Sequence, residues 1–223
     1  MKDSICLVTG ATDGIGKATA MGLARTGATV ILHGRNPAKL DQALAEVRAV
    51  AGGGAVGSVL ADFSALDEVR ELAKRIHGEF GALNVLVNNA GLLTDHRQVS
   101  RDGFELTFAV NFLAPFLLTH LLLDLLKQNA PARVVNVAST AMGGGRIDLS
   151  DLQSERRFDG WRAYANSKLG NVLFSAVLAE KLAGTGVVSN SLCPGLIDTN
   201  FFHTNEVFGN GGYERLRPGM RPP

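Results

Sequence analysis

The chain has 223 residues, of which 46% are hydrophobic, and its 22 basic and 21 acidic residues leave a formal net charge of +1. This length and apolar content suffice to bury one substantial hydrophobic core. The even charge balance gives no electrostatic reason to expect nucleic acid or an acidic membrane surface as a partner. We therefore expect a globular protein whose partner is a small molecule.

The cysteine content and the hydropathy pattern both favour a cytoplasmic protein. Cys6 and Cys193 lie far apart in apolar stretches, so we expect neither a disulfide framework nor a metal site and predict that both are core residues. An apolar run begins within a few residues of the N-terminus, so no signal or transit peptide is expected. The uncharged segment 106–123 is interrupted by Asn111 and Pro115, which indicates a buried helix and no membrane span.

Strand-like runs alternate with helical patterns along the chain. Short β-branched and apolar runs predict strands at 5–9, 29–33, 56–60, 84–88, 133–138 and 186–193. Helical spacing predicts helices at 15–24, from 36 onward, at 66–80, about 101–127 and about 161–182, with Asn36 and Ser64 as caps of the second and third. Because parallel strands need a crossover between them, this alternation predicts an α/β fold with a doubly wound parallel sheet in a three-layer αβα sandwich.

A glycine-rich segment follows the first predicted strand. The sequence TGATDGIG places Gly10, Gly14 and Gly16 between a strand and a helix. The pyrophosphate of a dinucleotide has to approach the backbone closely there, and the helix N-terminus offers it free amide groups. Such turns can also serve packing alone, but this position favours a Rossmann dinucleotide site. A nucleoside-triphosphate loop is not favoured, because no Gly-Lys-Ser or Gly-Lys-Thr follows at the required spacing.

The end of the second predicted strand bears on which dinucleotide binds. Gly34 and Arg35 stand where NAD enzymes commonly place an acidic residue that holds the ribose hydroxyls. A guanidinium suits a 2′-phosphate, so we expect NADP(H) rather than NAD(H). Alternatively, Arg35 is a solvated surface residue. Asp13 counts against NADP(H), because some NADP enzymes carry a basic residue at that point of the glycine-rich segment.

Tyr164 and Lys168 are four residues apart on a predicted helix and therefore share a face. A nearby ammonium stabilises a phenolate, so we expect Lys168 to lower the pKa of Tyr164, and lowering it by about 3 would need roughly 4 kcal/mol. The alternative is a tyrosine ring packed against a lysine stem. Ser139 and the sequence NNAG at 88–91 end two strands at the same predicted sheet edge, which supports a catalytic interpretation.

Together these motifs resemble the short-chain dehydrogenase/reductase family. The resemblance runs from the first strand to about Asn200, and it is carried by TGATDGIG, NNAG, Ser139, Tyr164 with Lys168, and Pro194-Gly195. The sequence that follows Tyr164 and the long insertion before it look like the retinol dehydrogenase and protochlorophyllide reductase branch. The resemblance implies an NADP(H)-dependent oxidoreductase that transfers a hydride between nicotinamide and a carbonyl or alcohol substrate.

The resemblance also implies residue roles. Tyr164 would exchange a proton with the substrate oxygen, Lys168 would lower the pKa of Tyr164 and bind the nicotinamide ribose, and Ser139 would orient the carbonyl. Asn111 would hold a water that links Lys168 to solvent; alternatively it only accompanies a helix kink at Pro115. The implied cofactor site comprises Gly10, Thr12, Asp13, Gly14, Ile15, Gly16, Arg35, Asn36, Asp62, Phe63, Asn89, Ala90, Gly91, Tyr164, Lys168, Pro194, Gly195, Ile197 and Thr199.

The C-terminal part departs from the family pattern. Residues 1–200 are predicted to form the dinucleotide-binding domain with the catalytic site, and 201–223 a flexible tail or partial substrate lid, with the family's last strand lacking or truncated. This leaves a second hypothesis open, a dinucleotide-binding regulator or sensor with weak or no catalysis. Leu92, Leu93, Met142 and Phe201 or Phe202 could face the nicotinamide, which favours an apolar substrate. A homodimer is also compatible with the sequence.

Overall fold

Six parallel strands form the central sheet of the computed structural model, which describes residues 1–199 and 217–223. They are β1 (Ile5–Val8), β2 (Thr29–Gly34), β3 (Val56–Leu60), β4 (Val85–Asn88), β5 (Ala132–Val137) and β6 (Val187–Leu192). Their order across the sheet is β3-β2-β1-β4-β5-β6. The chain therefore winds outward twice from β1, and the switch point lies between β1 and β4. The predicted doubly wound α/β fold is confirmed.

Seven α-helices cross over between the strands in the described part of the chain. They are α1 (Gly14–Arg25), α2 (Pro37–Ala49), α3 (Leu66–Arg75), α4 (Leu106–Phe108), α5 (Ala114–Leu121), α6 (Leu123–Gln128) and α7 (Gly160–Lys181). π-helical turns at Ile76–Phe80 and Ala109–Leu113 extend α3 and join α4 to α5, and a 3-10 turn at Thr140–Gly144 follows β5. The single helix expected at about 101–127 is therefore several pieces that begin at residue 106.

Two hydrophobic clusters cover the two faces of the sheet. Alternate residues of a strand point to opposite faces, and β1 accordingly sends Leu7 into one cluster and Cys6 and Val8 into the other. The first cluster packs the sheet against α3 and α5, and the second packs it against the small residues Ala20 and Ala24 of α1. Alternate strand residues therefore pack against the helices on each face of the sheet. Most of the predicted site residues lie at the carboxyl edge of the sheet.

Two predictions about single residues are wrong. Cys193 is exposed, whereas Cys6 is buried as expected; Cys193 follows β6, which is the edge strand of the described sheet. Ser64 does not cap α3, because the cap position is Ala65 and the N–H of Leu66 donates to the carboxylate of Asp102 at 2.8 Å. That partner lies 36 residues further along the chain, beyond the reach of a local motif.

The end of the chain returns to the segment that follows β6. The N–H of Arg221 donates to the carbonyl of Leu196 at 2.9 Å, and the N–H of Asp198 donates to the carbonyl of Arg221 at 2.7 Å. Part of the predicted tail is thus hydrogen-bonded to the segment that holds the predicted cofactor residues Gly195, Ile197 and Thr199. Residues 200–216, with Phe201 and Phe202, lie outside the described residues. Within 1–199 and 217–223, no helix is both long and apolar enough to cross a bilayer.

Candidate active site

A cleft of about 920 Å³ lies at the carboxyl edge of the sheet. Parallel α/β sheets bind ligands at this edge, next to the switch point. The cleft is lined by every residue of the predicted cofactor and catalytic sets except Asn36 and Asn111. The sequence motifs therefore converge on one place, although they are spread over most of the chain.

The glycine-rich segment forms the floor of one end of the cleft. Gly10 has a φ of +62°, and a Cβ on Gly16 would lie 2.1 Å from the Gly10 carbonyl oxygen. Asp13 caps α1, since its carboxylate accepts the N–H of Gly14 at 2.7 Å. The side-chain amide of Asn89 donates to the Gly10 carbonyl at 3.1 Å and so ties the end of β4 to this segment. The bare glycine backbone leaves room for a dinucleotide pyrophosphate, whereas the carboxylate of Asp13 already occupies the N–H of Gly14 at the helix N-terminus.

His33, which was not predicted as a site residue, contacts the same segment through Gly10. It is buried, its Nδ1 accepts the N–H of Gly10 at 3.3 Å, and its Nε2 lies 3.0 Å from the carbonyl oxygen of Ala61. These partners place the proton on Nε2. The ring also stacks on Phe63 with centroids 4.2 Å apart. Burial lowers the pKa of His33 to about 4, so the ring is neutral near pH 7.

The segment after β2 places Arg35 at the cleft and Asn36 away from it. A Cβ on Gly34 would lie 2.4 Å from Cγ2 of Thr12, so any side chain at this position would require Thr12 to move. Arg35 is exposed and lines the cleft. Asn36 instead caps α2, with its Oδ1 accepting the N–H of Lys39 at 3.0 Å. The predicted capping role of Asn36 is therefore seen, and Asn36 is not among the residues that line the cleft.

At the other end of the cleft, Tyr164, Ser139 and Lys168 lie together. Tyr164 is 8% exposed and is hydrogen-bonded to Ser139, which comes from the turn after β5. Lys168 is 4% exposed, and its Nζ donates to the carbonyl of Val137 at 2.9 Å and lies 5.6 Å from the centroid of the Tyr164 ring. The spacing on α7 and the end of β5 thus bring a phenol, a hydroxyl and an ammonium into one site.

Burial dominates the electrostatics of this site. It raises the pKa of Tyr164, which the hydrogen bond from Ser139 lowers only in part, and it lowers the pKa of Lys168 to about 8. The expected lowering of the tyrosine pKa by Lys168 is not seen. Near neutral pH, Tyr164 therefore holds its proton and Lys168 keeps most of its charge.

Asn111 lies behind the cleft in the π-helical turn Ala109–Leu113. It is fully buried; its Oδ1 accepts the N–H of Leu92 at 2.8 Å, and its Nδ2 donates to the carbonyl of Leu92 at 2.9 Å and to Oγ of Ser167 at 3.0 Å. A Cβ on Gly91 would lie 3.4 Å from both Asn111 Oδ1 and Lys168 Nζ. Asn111 therefore fixes the segment after β4 against α7, next to Lys168.

Several residues that line the cleft were not predicted as site residues. They are Trp161, Thr94, Asp95, His96 and Gln98. Leu92 and Leu93, which were expected near the nicotinamide, also line the cleft. Met142 is not among the lining residues. The position of Trp161, three residues before Tyr164 on the same helix, is a signal that the sequence carried.

Comparison with known proteins decides the family. The short chain dehydrogenase family matches residues 4–207. The chain belongs to the short chain dehydrogenase family. It is 43% identical to retinol dehydrogenase 12 of Mus musculus over 193 residues, covering 86% of this chain and 61% of the relative. It is 40% identical to retinol dehydrogenase 13 of Homo sapiens over 205 residues, covering 92% and 62%. The resemblance to the retinol dehydrogenase branch is confirmed.

Solved structures agree with this assignment. An uncharacterized protein from Mycobacterium paratuberculosis matches all of this chain and 78% of its own, with a TM-score of 0.79 and 36% identity. A protein from Pseudomonas syringae, described as a short chain dehydrogenase, matches 99% of this chain and 82% of its own, with a TM-score of 0.75 and 30% identity. The chain spans 61% of the length of retinol dehydrogenase 12 and 62% of that of retinol dehydrogenase 13.

Proposed function

We propose that the protein is an NADP(H)-dependent oxidoreductase that transfers a hydride between nicotinamide and a carbonyl or alcohol substrate, with Tyr164 as the general acid/base. The observation that carries the proposal is the hydrogen-bonded pair Tyr164–Ser139 in the glycine-floored cleft, with the buried ammonium of Lys168 beside it. Serine or tyrosine alone is common in clefts, but the three groups together supply proton transfer and oxyanion stabilisation. When bound, the nicotinamide would accept or supply the hydride.

The chain's own residues can perform the polar half of such a reaction. Ser139 and Tyr164 offer two hydroxyls to one substrate oxygen, and Tyr164 donates its proton to that oxygen when a carbonyl is reduced. The ammonium of Lys168 stabilises the negative charge left on the phenol, because it lies in a buried site where water screens poorly. Since burial favours the protonated phenol, reduction is the direction for which Tyr164 begins in the required state.

Three features of the structure support NADP(H) over NAD(H). Arg35 lines the cleft next to the end of β2, where a 2′-phosphate is expected to lie. Gly34 carries no carboxylate that would repel a 2′-phosphate at this strand end. The carboxylate of Asp62 accepts the N–H of Ser64 at 2.9 Å and lies 3.7 Å from a guanidinium nitrogen of Arg101, which offsets its charge near this end of the cleft.

The experiment is NADPH oxidation with a panel of aldehydes and ketones. We expect Tyr164→Phe to lower kcat by about 10² to 10⁴-fold, the usual contribution of general acid catalysis, while NADPH still binds. Arg35→Ser should weaken NADPH binding and leave NADH binding unchanged. NADPH binding without turnover on the whole panel would favour the regulator or sensor, and a Tyr164→Phe variant with unchanged activity would refute the mechanism.

We also propose a cytoplasmic location and a homodimeric state. An exposed free thiol at Cys193 suits a reducing compartment. Phe116 of α5 and Leu173 and Val177 of α7 are exposed apolar residues, and a second copy could cover them. Cell fractionation and light scattering of the purified protein test these two proposals; a membrane fraction or a monomer would contradict them.

A further inference from the structure

A half-exposed tryptophan lies beside the candidate catalytic pair. Trp161 is 46% exposed and lines the cleft, and its ring lies 5.8 Å from the ring of Tyr164 with the two planes tilted by 31°. Tryptophan is highly buried on average in folded proteins. A large flat apolar surface inside a cleft gains most when a ligand of matching shape covers it.

The first turn of α7 holds this ring in a fixed position. Asp159 caps the helix, since its carboxylate accepts the N–H of Arg162 at 2.8 Å, and Gly160, the first helical residue, is buried. Trp161 and Tyr164 are three residues apart and therefore share a face of the helix. The distance from the indole to the phenol is thus set by a capped helix, and a site built on such an element holds its geometry better than one on a loop.

Aliphatic residues also line the cleft. Leu92 and Leu93 come from the segment after β4, and Leu196 comes from the segment after β6. Leu93 is buried and Leu196 is 40% exposed. None of these three side chains is flat. Phe63 and His33 also line the cleft, but they are buried and stack on each other, whereas Trp161 is half-exposed and lies beside Tyr164, where it can distinguish a planar ligand from a flexible aliphatic one.

We propose that Trp161 determines substrate specificity, and that the cleft takes carbonyl compounds whose C=O is attached directly to an aromatic ring. The inference rests on the proposed function, because Tyr164 and Ser139 have to bind the carbonyl oxygen. Conjugation keeps the carbonyl coplanar with its ring. Trp161 and Tyr164 line the cleft side by side, with ring centroids 5.8 Å apart, so a ring attached to a carbonyl that Tyr164 binds can stack on the indole. Aromatic pairs 4.5–7 Å apart gain energy beyond that of their buried area.

The test compares an aromatic aldehyde with an aliphatic one of the same carbon number, benzaldehyde and heptanal, with NADPH in excess. We expect Trp161→Leu to lower kcat/KM for benzaldehyde about tenfold more than for heptanal, since tenfold corresponds to about 1.4 kcal/mol, within the range for an aromatic pair. Trp161→Phe should keep most of the preference because it retains a ring. Leu149→Ala, an exposed position outside the cleft lining, should change neither value.

A second readout follows from the composition. Trp161 is the only tryptophan in the sequence, so the fluorescence of the wild-type protein reports on this position, and benzaldehyde should quench it in a saturable manner while heptanal should not. Equal losses of kcat/KM for the two aldehydes in Trp161→Leu would overturn the inference. Wild-type turnover of neither aldehyde nor of any wider carbonyl panel, with NADPH bound, would overturn the proposed function instead, so the two failures are distinguishable.

Discussion

Removing the buried ammonium of Lys168 should stabilise the protein while abolishing turnover. Burial lowers the pKa of Lys168 from 10.5 to about 8, and a pKa difference of this size corresponds to about 3 kcal/mol of cost for holding the charge in the folded state. Replacement by methionine removes that cost but leaves the Val137 carbonyl without its donor, a loss of about 1 kcal/mol. We expect Lys168→Met to be about 2 kcal/mol more stable near neutral pH.

The sign of the pH dependence follows from proton binding. Below about pH 8 the lysine is charged in both the folded and the unfolded state, so the cost is fully present. Between about 8 and 10.5 the folded state loses its proton first, and the stability of the wild-type protein rises with pH. The advantage of Lys168→Met should therefore shrink over this interval and reverse at its upper end, where only the lost hydrogen bond to the Val137 carbonyl, about 1 kcal/mol, remains.

Urea unfolding of both proteins near neutral pH and near the upper end of that interval measures the effect. In thermal unfolding at neutral pH, the gain of about 2 kcal/mol in the free energy of unfolding should raise Tm by about 4–8 °C for a chain of this length. Lys181→Met, an exposed position at the end of the same helix, is the matched control and should change stability by less than about 0.5 kcal/mol. A Lys168→Met protein that is less stable than wild type at neutral pH, or equally more stable at both pH values, would refute the reasoning.

Three further perturbations test the framework of the cleft. His33→Phe removes a group whose pKa falls from 6.5 to about 4 on burial, so the loss of stability as pH drops from 6.5 to 4 should be smaller by about 3 kcal/mol in the variant, as acid unfolding curves would show. Gly16→Ala places a Cβ 2.1 Å from the Gly10 carbonyl oxygen; we expect NADPH binding to be lost in a titration followed by fluorescence, and retained binding would contradict the packing described here. Glu105→Ala removes the buried carboxylate that accepts the N–H groups of Thr107 and Phe108 at 2.8 and 2.7 Å, which should cost about 1–2 kcal/mol in urea unfolding.

The sheet and most of its helices could be predicted because their signals are local. The alternation of short apolar runs with helical periods fixes parallel pairing, and the Asn36-Pro37 pair marks the start of α2 as predicted. Signals that depend on distant partners were not available. The start of α3 rests on Asp102, and the division of the long helix depends on a π-helical turn whose Asn111 bonds to Leu92 and Ser167.

The same limit applies to the candidate site: the sequence indicates which residues lie close together but not how deeply they are buried. The spacing of Tyr164 and Lys168 predicted that they share a helix face, and they do. Spacing does not state how deeply a residue is buried, and burial reverses the expected direction of the tyrosine pKa. His33 was not predicted because a histidine at the end of a strand belongs to no motif. Its role in holding the glycine-rich segment follows from its contacts with Gly10 and Ala61, which are distant in sequence.

Burial causes both the raised pKa of Tyr164 and the lowered pKa of Lys168. Burial favours the neutral form of each group, so it keeps the proton on Tyr164 and brings the titration of Lys168 down to about 8. A cleft dry enough to make an ammonium effective against a developing phenolate charge is necessarily dry enough to disfavour both charges beforehand. The same burial therefore strengthens the attraction between the Lys168 ammonium and the negative charge that develops on Tyr164 during proton transfer. It also limits this attraction to the pH range in which Lys168 remains charged. A surface lysine in place of Lys168 would keep its charge over a wider pH range, but water would screen most of its effect on Tyr164.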